Sequence, residues 1–296
     1  MIRAPWGDKK YWDEKFVYFL KIISENLSIV SQPSKNPMYR PQFTFDTMLY
    51  HLRVMFIRYS RGDNISELPQ YFSGLIDMWE LSNKLAKELN ETLKKGEGWD
   101  HRHISPRLSS DKRAHDDPRA WIFSLTYLNH YNLCFWLVGL AILLDIDENL
   151  WQRLLRLIDE DGEDILLDRV IAYCQKDRKI GDKLLHKKPY QRLLKAIDAP
   201  KEKQAVFLYE FVENWYKELE RKGDDELWWY IFGDPVKQPL SMGSYFGRWC
   251  IEATVCVKVF NMDDSLCLKN EYYPKAFLHE EKAFGVFDKL KSLFRK

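Results

Sequence analysis

The sequence predicts an all-α protein, an irregular multi-helix bundle of antiparallel helix pairs. Glycine and proline are few, with 13 and 12 among 296 residues, which suits long helices with short connections better than a turn-rich sandwich. Apolar residues recur at three- and four-residue spacing in one segment after another, which is the pattern of a buried helical face. Aromatic residues make up 15% of the chain and can fill a substantial core. No segment shows a convincing strand pattern.

The first hundred residues predict three helices. An aspartate side chain can accept hydrogen bonds from the free N–H groups of a first helical turn, so Asp8 is expected to cap a helix that runs to about Val30. A proline-containing segment then forbids regular structure. A second helix is predicted from about Thr44, and a third from about Ile65 to Leu93.

A long irregular segment, 95–118, interrupts the helical pattern. Loops of this length are often functional or solvated, and this one separates a predicted N-terminal helical subdomain (1–116) from a C-terminal helical domain (117–296). The two parts could also form one continuous bundle. A metal site is the weaker alternative for this loop because no regular element presents the ligands, and no metal is predicted. The histidines concerned are His101, His103 and His115.

Seven further helices are predicted in the rest of the chain. Pro118, Pro189 and Pro200 stand at or just before the first turns of three of them, where the missing N–H of proline is tolerated. The predicted helices span 118–144, 150–158, 165–173, 189–197, 200–219, 245–260 and 277–294.

The segment Tyr245–Phe260 is apolar on nearly all faces, and a helix of that kind is buried on most sides. Ser241 or Ser244 is expected to cap its start. Arg248 and Glu252 are four residues apart, so on a helix they share a face and are expected to form an ion pair away from water. A catalytic role for Glu252 is the weaker alternative, because no second acid, histidine or nucleophile lies at a helical spacing from it.

Charge is balanced overall but uneven along the chain. The formal net charge is +1, so the composition does not favour direct binding of nucleic acid. Segment 143–168 is strongly acidic and segment 174–203 is strongly basic. These charges could cover two solvated helix faces, or the acids could form a patch that docks a basic partner and raises its association rate. The residues predicted for that patch are Asp159, Glu160, Asp161, Glu163 and Asp164.

Sequence motifs give no sign of an enzyme. The chain has no phosphate-binding loop, dinucleotide fingerprint, nucleophile elbow or HExxH zinc motif, so no cofactor and no catalytic residue is predicted. Its five cysteines form no CxxC pair, which favours a reducing cytoplasm over a disulfide framework. The longest apolar run, 133–144, is short for a membrane span and suits a core helix.

A pattern of glycines, aromatic residues and acids stands out near the C-terminus. Asp263 or Asp264 is expected to cap the short segment that follows them, with acid–base chemistry as the weaker alternative. Tyr272-Tyr273-Pro274 is expected to supply packing and a fixed turn. The pattern reads Gly243, Tyr245, Phe246, Gly247, Trp249, Glu252, Ala253, then Asp263, Asp264, Ser265, then Tyr272, Tyr273, Pro274.

This pattern resembles the C-terminal domain of the PoNi-type immunity proteins. A looser motif, Arg58-Tyr59-Ser60-x-Gly62 followed by Ile65 and Leu68, resembles the N-terminal domain of that family. The family pattern ends in Tyr-Pro-x-Asp-Leu, whereas the residues after Pro274 are Lys275, Ala276 and Phe277, so the acidic position is lost here.

The resemblance implies an immunity protein, made beside a PoNe-type DNA-degrading toxin that bacteria deploy against competitors, and acting by binding that toxin. Nuclease surfaces are usually basic around DNA because phosphate attraction dominates affinity, so the acidic patch is expected to face that groove and compete with DNA. A central aromatic or arginine anchor is also expected, although the sequence does not identify it. The alternative is a helical interaction scaffold, for example a homodimeric adaptor without a toxin target.

Overall fold

The computed structural model describes residues 1–34, 36–92, 124–158, 161–223 and 226–279. These residues form ten α-helices joined by turns and short 3-10 helices, and they contain no strand, so the predicted all-α class is confirmed. The helices are α1 (Lys9–Val30), α2 (Arg40–Arg61), α3 (Gln70–Thr92), α4 (Leu128–Leu143), α5 (Glu148–Ile158), α6 (Ile165–Ile171), α7 (Lys187–Asp198), α8 (Lys201–Glu218), α9 (Ile251–Phe260) and α10 (Ala276–His279).

The first three helices pack as successive antiparallel neighbours. Near the end of α1, Asn26 Nδ2 donates to Thr47 Oγ1 near the start of α2 at 2.9 Å. At the opposite end of the same pair, Arg61 contacts Asp13 at 3.4 Å. The α2–α3 pair is antiparallel too. The Ser82 hydroxyl, in the middle of α3, donates to the carbonyl of Pro41 at the start of α2, at 2.7 Å, and Arg58 near the end of α2 donates to the Tyr71 hydroxyl at the start of α3, at 3.2 Å.

Helices α7 and α8 form another antiparallel pair across a two-residue connection. Gln204 Nε2, in the first turns of α8, donates to the Ile197 carbonyl at the end of α7, at 3.2 Å. At the far end of the pair, Arg192 Nε lies 2.9 Å from Glu218 Oε1. The short connection and these contacts are typical of a helical hairpin.

The central pair, α4 and α9, departs from the predicted arrangement because its two helices run in the same direction. Near the start of both helices, Asn132 Nδ2 of α4 donates to Glu252 Oε1 of α9 at 3.0 Å. Near the end of both helices, Lys258 Nζ of α9 donates to the Ile142 carbonyl of α4 at 2.6 Å. Every residue of α4 except Asn129 is buried. The long chain segment between α4 and α9 permits a parallel arrangement, which a short connection would forbid.

The start of α9 corrects the prediction of a helix over Tyr245–Phe260. The helix begins at Ile251, and residues 243–250 form an irregular connection before it. Gly247 has a φ of 100°, a left-handed conformation that is incompatible with a right-handed α-helix through this residue. The cap residue is Cys250, without a side-chain hydrogen bond, so neither Ser241 nor Ser244 caps α9.

Other predicted helices are found with shifted ends. The cap at Asp8 is confirmed, since its carboxylate accepts from the Tyr11 backbone N–H at 2.8 Å. The second helix starts at Arg40, earlier than predicted, and Ile65–Glu67 is a 3-10 helix ahead of α3. The loop with the three histidines and most of the predicted terminal helix lie outside the described residues.

One hydrophobic core runs through the described chain, from Trp12 in α1 to Tyr273 after α9. It draws side chains from both sides of the predicted boundary at 116/117, which itself falls outside the described residues. All five cysteines are free, and only Cys174 is exposed. Within the described ranges, no helix combines the length and the apolar character needed to cross a membrane.

Candidate functional site

The described part of the predicted acidic patch, residues 161–164, is the connection between α5 and α6. It packs against the loop 179–185 through the Gly162 N–H to the Lys179 carbonyl, at 3.1 Å, and the Ile165 N–H to the Lys183 carbonyl, at 2.8 Å. The acidic and basic segments that are neighbours in sequence therefore lie against each other. Part of their opposite charge is neutralised between them and does not face solvent.

Asp164 does not belong to an accessible surface, which corrects its place in the predicted patch. It is fully buried and caps α6, accepting from the backbone N–H groups of Leu166 and Leu167 at 3.0 and 2.8 Å. It also accepts from the Leu185 N–H at 2.8 Å and from the Tyr131 hydroxyl at 2.9 Å. Four donors explain how a carboxylate is held in the interior.

The rest of the predicted patch differs in accessibility. Asp161 is exposed, so its charge can meet a partner, whereas Glu163 is half-buried and one of its carboxylate oxygens is shielded from solvent. Asp159 and Glu160 lie outside the described residues.

Sequence reasoning missed Asp168, which it counted only as one more acid in a charged segment. The residue is fully buried and forms an ion pair with Arg178 at 2.7 Å. Its Oδ2 also accepts from the N–H groups of Asp164 and Gly181, each at 3.1 Å. Burial raises the pKa of Asp168, and Arg178 opposes that rise. Through these two hydrogen bonds, Asp168 holds the connection 161–164, called the acidic loop below, on the loop 179–185.

The two motifs that resemble the PoNi family, far apart in sequence, meet in space. Trp249 packs edge-on against Tyr59, with ring centroids 4.8 Å apart, and its Nε1 donates to the Ser60 hydroxyl at 2.9 Å. The Tyr11 hydroxyl donates to the Tyr245 carbonyl at 2.7 Å. A Cβ at Gly247 would lie 2.5 Å from the Ser60 hydroxyl oxygen, so a side chain at this position would push the segments apart.

Arg248 and Glu252 do not form the predicted ion pair, because residue 248 precedes the helix and the four-residue spacing on one face does not apply. Arg248 instead pairs with Glu271 at 3.0 Å. Its guanidinium lies over the rings of Tyr216 and Tyr272, 4.9 Å from each centroid. The arginine therefore joins α8 to the segment after α9.

Glu252 is completely buried at the centre of a polar cluster. Its Oε1 accepts from Asn132 Nδ2 at 3.0 Å, the Tyr190 hydroxyl at 3.1 Å and Trp215 Nε1 at 3.3 Å. The Asn132 side-chain oxygen accepts in turn from Trp229 Nε1 at 2.7 Å. Burial raises the pKa of Glu252 to about 7. A carboxylate with no exposed area joins four elements and does not face a substrate.

The two neighbouring acids of the C-terminal pattern, Asp263 and Asp264, make contacts within their own segment. Asp263 accepts from the Ser265 N–H at 2.9 Å, which confirms the predicted local cap. Asp264 is buried, accepts from the Tyr273 hydroxyl, and lies 2.7 Å from His279 Nε2. In the described ranges, no three residues among His, Cys, Asp and Glu come together in a way that could hold a metal ion.

Comparison with models of known protein families identifies a match to each part of the chain. The family model for the PoNe immunity protein (PoNi) N-terminal region matches residues 3–156, and the model for the C-terminal region of PoNe immunity proteins (PoNi) matches residues 162–277. The division between the two matches falls in the connection between α5 and α6. A search of curated proteins finds no match.

Among solved structures, the fold is similar to the crystal structure of protein PA2201 from Pseudomonas aeruginosa. The similarity covers 96% of this chain and 92% of that chain, with a TM-score of 0.63 and 14% sequence identity. At this identity the likeness concerns the fold alone. The two family models match the two parts of the chain in succession, and the residues that carry the two motifs pack on each other. The chain belongs to the PoNe immunity protein (PoNi) family.

Proposed function

We propose that this chain neutralises a cognate DNA-degrading toxin of the PoNe type by binding it in the cytoplasm of the producing cell, without catalysis. The observation that carries the proposal is the match of both PoNi family models along the chain. A tightly packed helical body with a buried Glu252 fits a protein that acts through its surface.

The acidic loop is the proposed contact with the DNA-binding groove of the toxin. Asp161 is exposed and Glu163 half-buried, and both belong to a loop held in place by the buried carboxylates of Asp164 and Asp168. A rigid loop loses little conformational freedom on binding. Negative charge on it would attract a basic groove and exclude phosphate from it.

The test is binding and inhibition with the purified nuclease domain encoded beside this chain. The decisive variant carries Asp159→Asn, Glu160→Gln, Asp161→Asn and Glu163→Gln, and keeps Asp164 because its loss would disturb the fold. A matched control neutralises four acids on other helices, namely Glu14, Glu88, Glu91 and Glu202, all of which are exposed.

We expect the loop variant to bind the nuclease about tenfold more slowly at low salt, since complementary charge acts mainly on the association rate. The control should associate at the rate of the unsubstituted chain. Equal association rates for the unsubstituted chain, the loop variant and the control would show that the acidic loop is not part of the interface. If the unsubstituted chain neither binds nor inhibits the nuclease, immunity by binding is refuted.

A further inference from the structure

An arginine of α2 is enclosed by aromatic side chains at the surface between the two parts of the chain. The guanidinium carbon of Arg53 lies 4.9 Å from the ring centroid of Trp228. Cations within about 6 Å of a ring centroid are attracted by the face of the ring, so these side chains hold the guanidinium in place. The other rings around it are Phe246 at 5.5 Å, Tyr50 at 5.6 Å, Phe19 at 5.8 Å and Phe232 at 6.0 Å.

Arg53 forms no ion pair with a carboxylate among the residues that the structure describes. Its Nε is shielded from solvent and makes no hydrogen bond. Asp46, on the same helix, attracts Arg53 electrostatically but forms no ion pair with it, and its carboxylate accepts from Gln42 Nε2 at 3.0 Å. Arg53 is half-buried, and its two terminal nitrogens are neither bonded to described residues nor shielded from solvent. Their N–H groups are available at the surface.

Most of the described arginines that lie over aromatic rings already have carboxylate partners. Arg61 lies over Phe16 and pairs with Asp63, and Arg169 lies over Phe260 and pairs with Asp198 at 2.8 Å. Arg53 has more ring neighbours than either and no such partner. The fold therefore presents a positioned cation whose hydrogen-bonding capacity is unused.

The surroundings of Arg53 suit a protein partner. Tyr18, whose phenol contributes to the electrostatic surroundings of Arg53, is 53% exposed. Lys15 lies over the ring of Tyr18, 5.3 Å from its centroid, and adds a second positive charge. Arginine, tryptophan and tyrosine are the residue types that dominate binding energy at protein interfaces. The cage, defined by Arg53 and its five rings, combines all three types.

We propose that this cage is a binding site for an acidic side chain, aspartate or glutamate, of the toxin domain. The proposal rests on the proposed function and names a second contact, separate in sequence from the acidic loop. A carboxylate accepts two parallel N–H bonds from a guanidinium, which is the geometry that the terminal nitrogens of Arg53 leave open. The aromatic walls would exclude water around that pair and strengthen it.

The experiment measures the affinity of three variants for the purified, catalytically inactivated nuclease domain encoded beside this chain. Arg53→Gln removes the charge, and Arg53→Lys keeps the charge but loses the two-pronged donor geometry. We expect about 30-fold weaker binding for Arg53→Gln and about tenfold for Arg53→Lys, as for a central arginine of an interface. Arg169→Gln is the control, because Arg169 contacts a ring but already has Asp198 as its partner.

A double-mutant cycle separates a direct contact from a structural effect. Each exposed acid of the nuclease is replaced by its amide, and one of these changes should weaken binding to the unsubstituted chain but have little further effect on Arg53→Gln. Urea unfolding of both Arg53 variants reports whether they keep the fold, and Arg53→Lys keeps a cation within the cage.

Four outcomes would overturn the inference. Binding of Arg53→Gln as tight as that of the unsubstituted chain would exclude the contact, and so would the absence of coupling to any acid of the nuclease. Loss of self-association in Arg53→Gln, with nuclease binding unchanged, would assign the cage to a second copy of this chain. If the unsubstituted chain binds no nuclease, the proposed function fails first and this inference fails with it.

Discussion

Replacement of Glu252 by glutamine should remove a defined part of the pH dependence of folding. Burial raises the pKa of Glu252 to about 7 from an ordinary value of 4.5. The folded protein therefore holds a proton on this carboxyl group more tightly than the unfolded chain does. The contribution of Glu252 to stability is complete below pH 4.5 and is lost as the pH rises through 7.

The magnitude follows from the separation of the two pKa values. Between pH 5 and pH 8 the difference between 4.5 and about 7 corresponds to a loss of about 2.5 kcal/mol in the free energy of unfolding. Glutamine has nearly the same shape, carries no charge, and keeps an oxygen to accept from Asn132, Tyr190 and Trp215. The Glu252→Gln variant should therefore gain about 2.5 kcal/mol relative to the unsubstituted protein over this pH range.

Urea unfolding followed by tryptophan fluorescence at several pH values between 5 and 8 measures this difference. Groups other than Glu252 titrate in both proteins and cancel when one free energy is subtracted from the other. Glu202→Gln, at an exposed position of α8, is the control for an acid-to-amide change at the surface. A flat difference for Glu252→Gln would refute the reasoning, because Glu252 would then titrate as it does in the unfolded chain.

Three further predictions concern the packing of the chain, each measured by urea unfolding. Gly247→Ala should lower the free energy of unfolding by about 2–3 kcal/mol, because its φ is strained for alanine and the added Cβ meets close contacts. The control Gly223→Ala has φ +65° but open space around it, and should lower the free energy of unfolding by only about 1 kcal/mol. Asp164→Ala should cost about 3 kcal/mol because four donors lose their acceptor, and Asp161→Ala, at an exposed site, should cost less than about 0.5 kcal/mol. Trp249→Phe should cost about 1–2 kcal/mol, because the buried hydroxyl at the end of α2 loses its indole donor; a cost near zero would exclude a contribution from that bond.

Periodicity and capping chemistry were sufficient to predict α1, because Asp8 and a one-sided apolar face act within a single helix. The start of α9 could not be found in this way. Residues 245–250 are as apolar as the helix after them, since they are buried in a different conformation against α1 and α2. The available signal was Gly247, because a glycine inside an apolar segment can mark a left-handed conformation that interrupts a helix.

The prediction of an ion pair between Arg248 and Glu252 was wrong because it assumed that the helix includes residue 248. The four-residue spacing places two side chains on one face only where both residues are helical. For the acidic patch, composition alone did not distinguish a carboxylate that caps a buried helix, Asp164, from one that meets solvent, Asp161. The geometry of backbone donors decides between them, and that depends on the loop 179–185. The Arg53 cage was hidden in sequence because its rings come from four separate segments.

The parallel pairing of α4 with α9 has a consequence for how the protein is made. During translation, α4 leaves the ribosome long before the helix that covers it, so a nascent chain carries a largely apolar segment without its partner. We expect such a chain to depend on chaperones and to give no protection if it ends prematurely. A producing cell would then be safe only once complete molecules have accumulated, which favours making this protein ahead of any toxin it restrains.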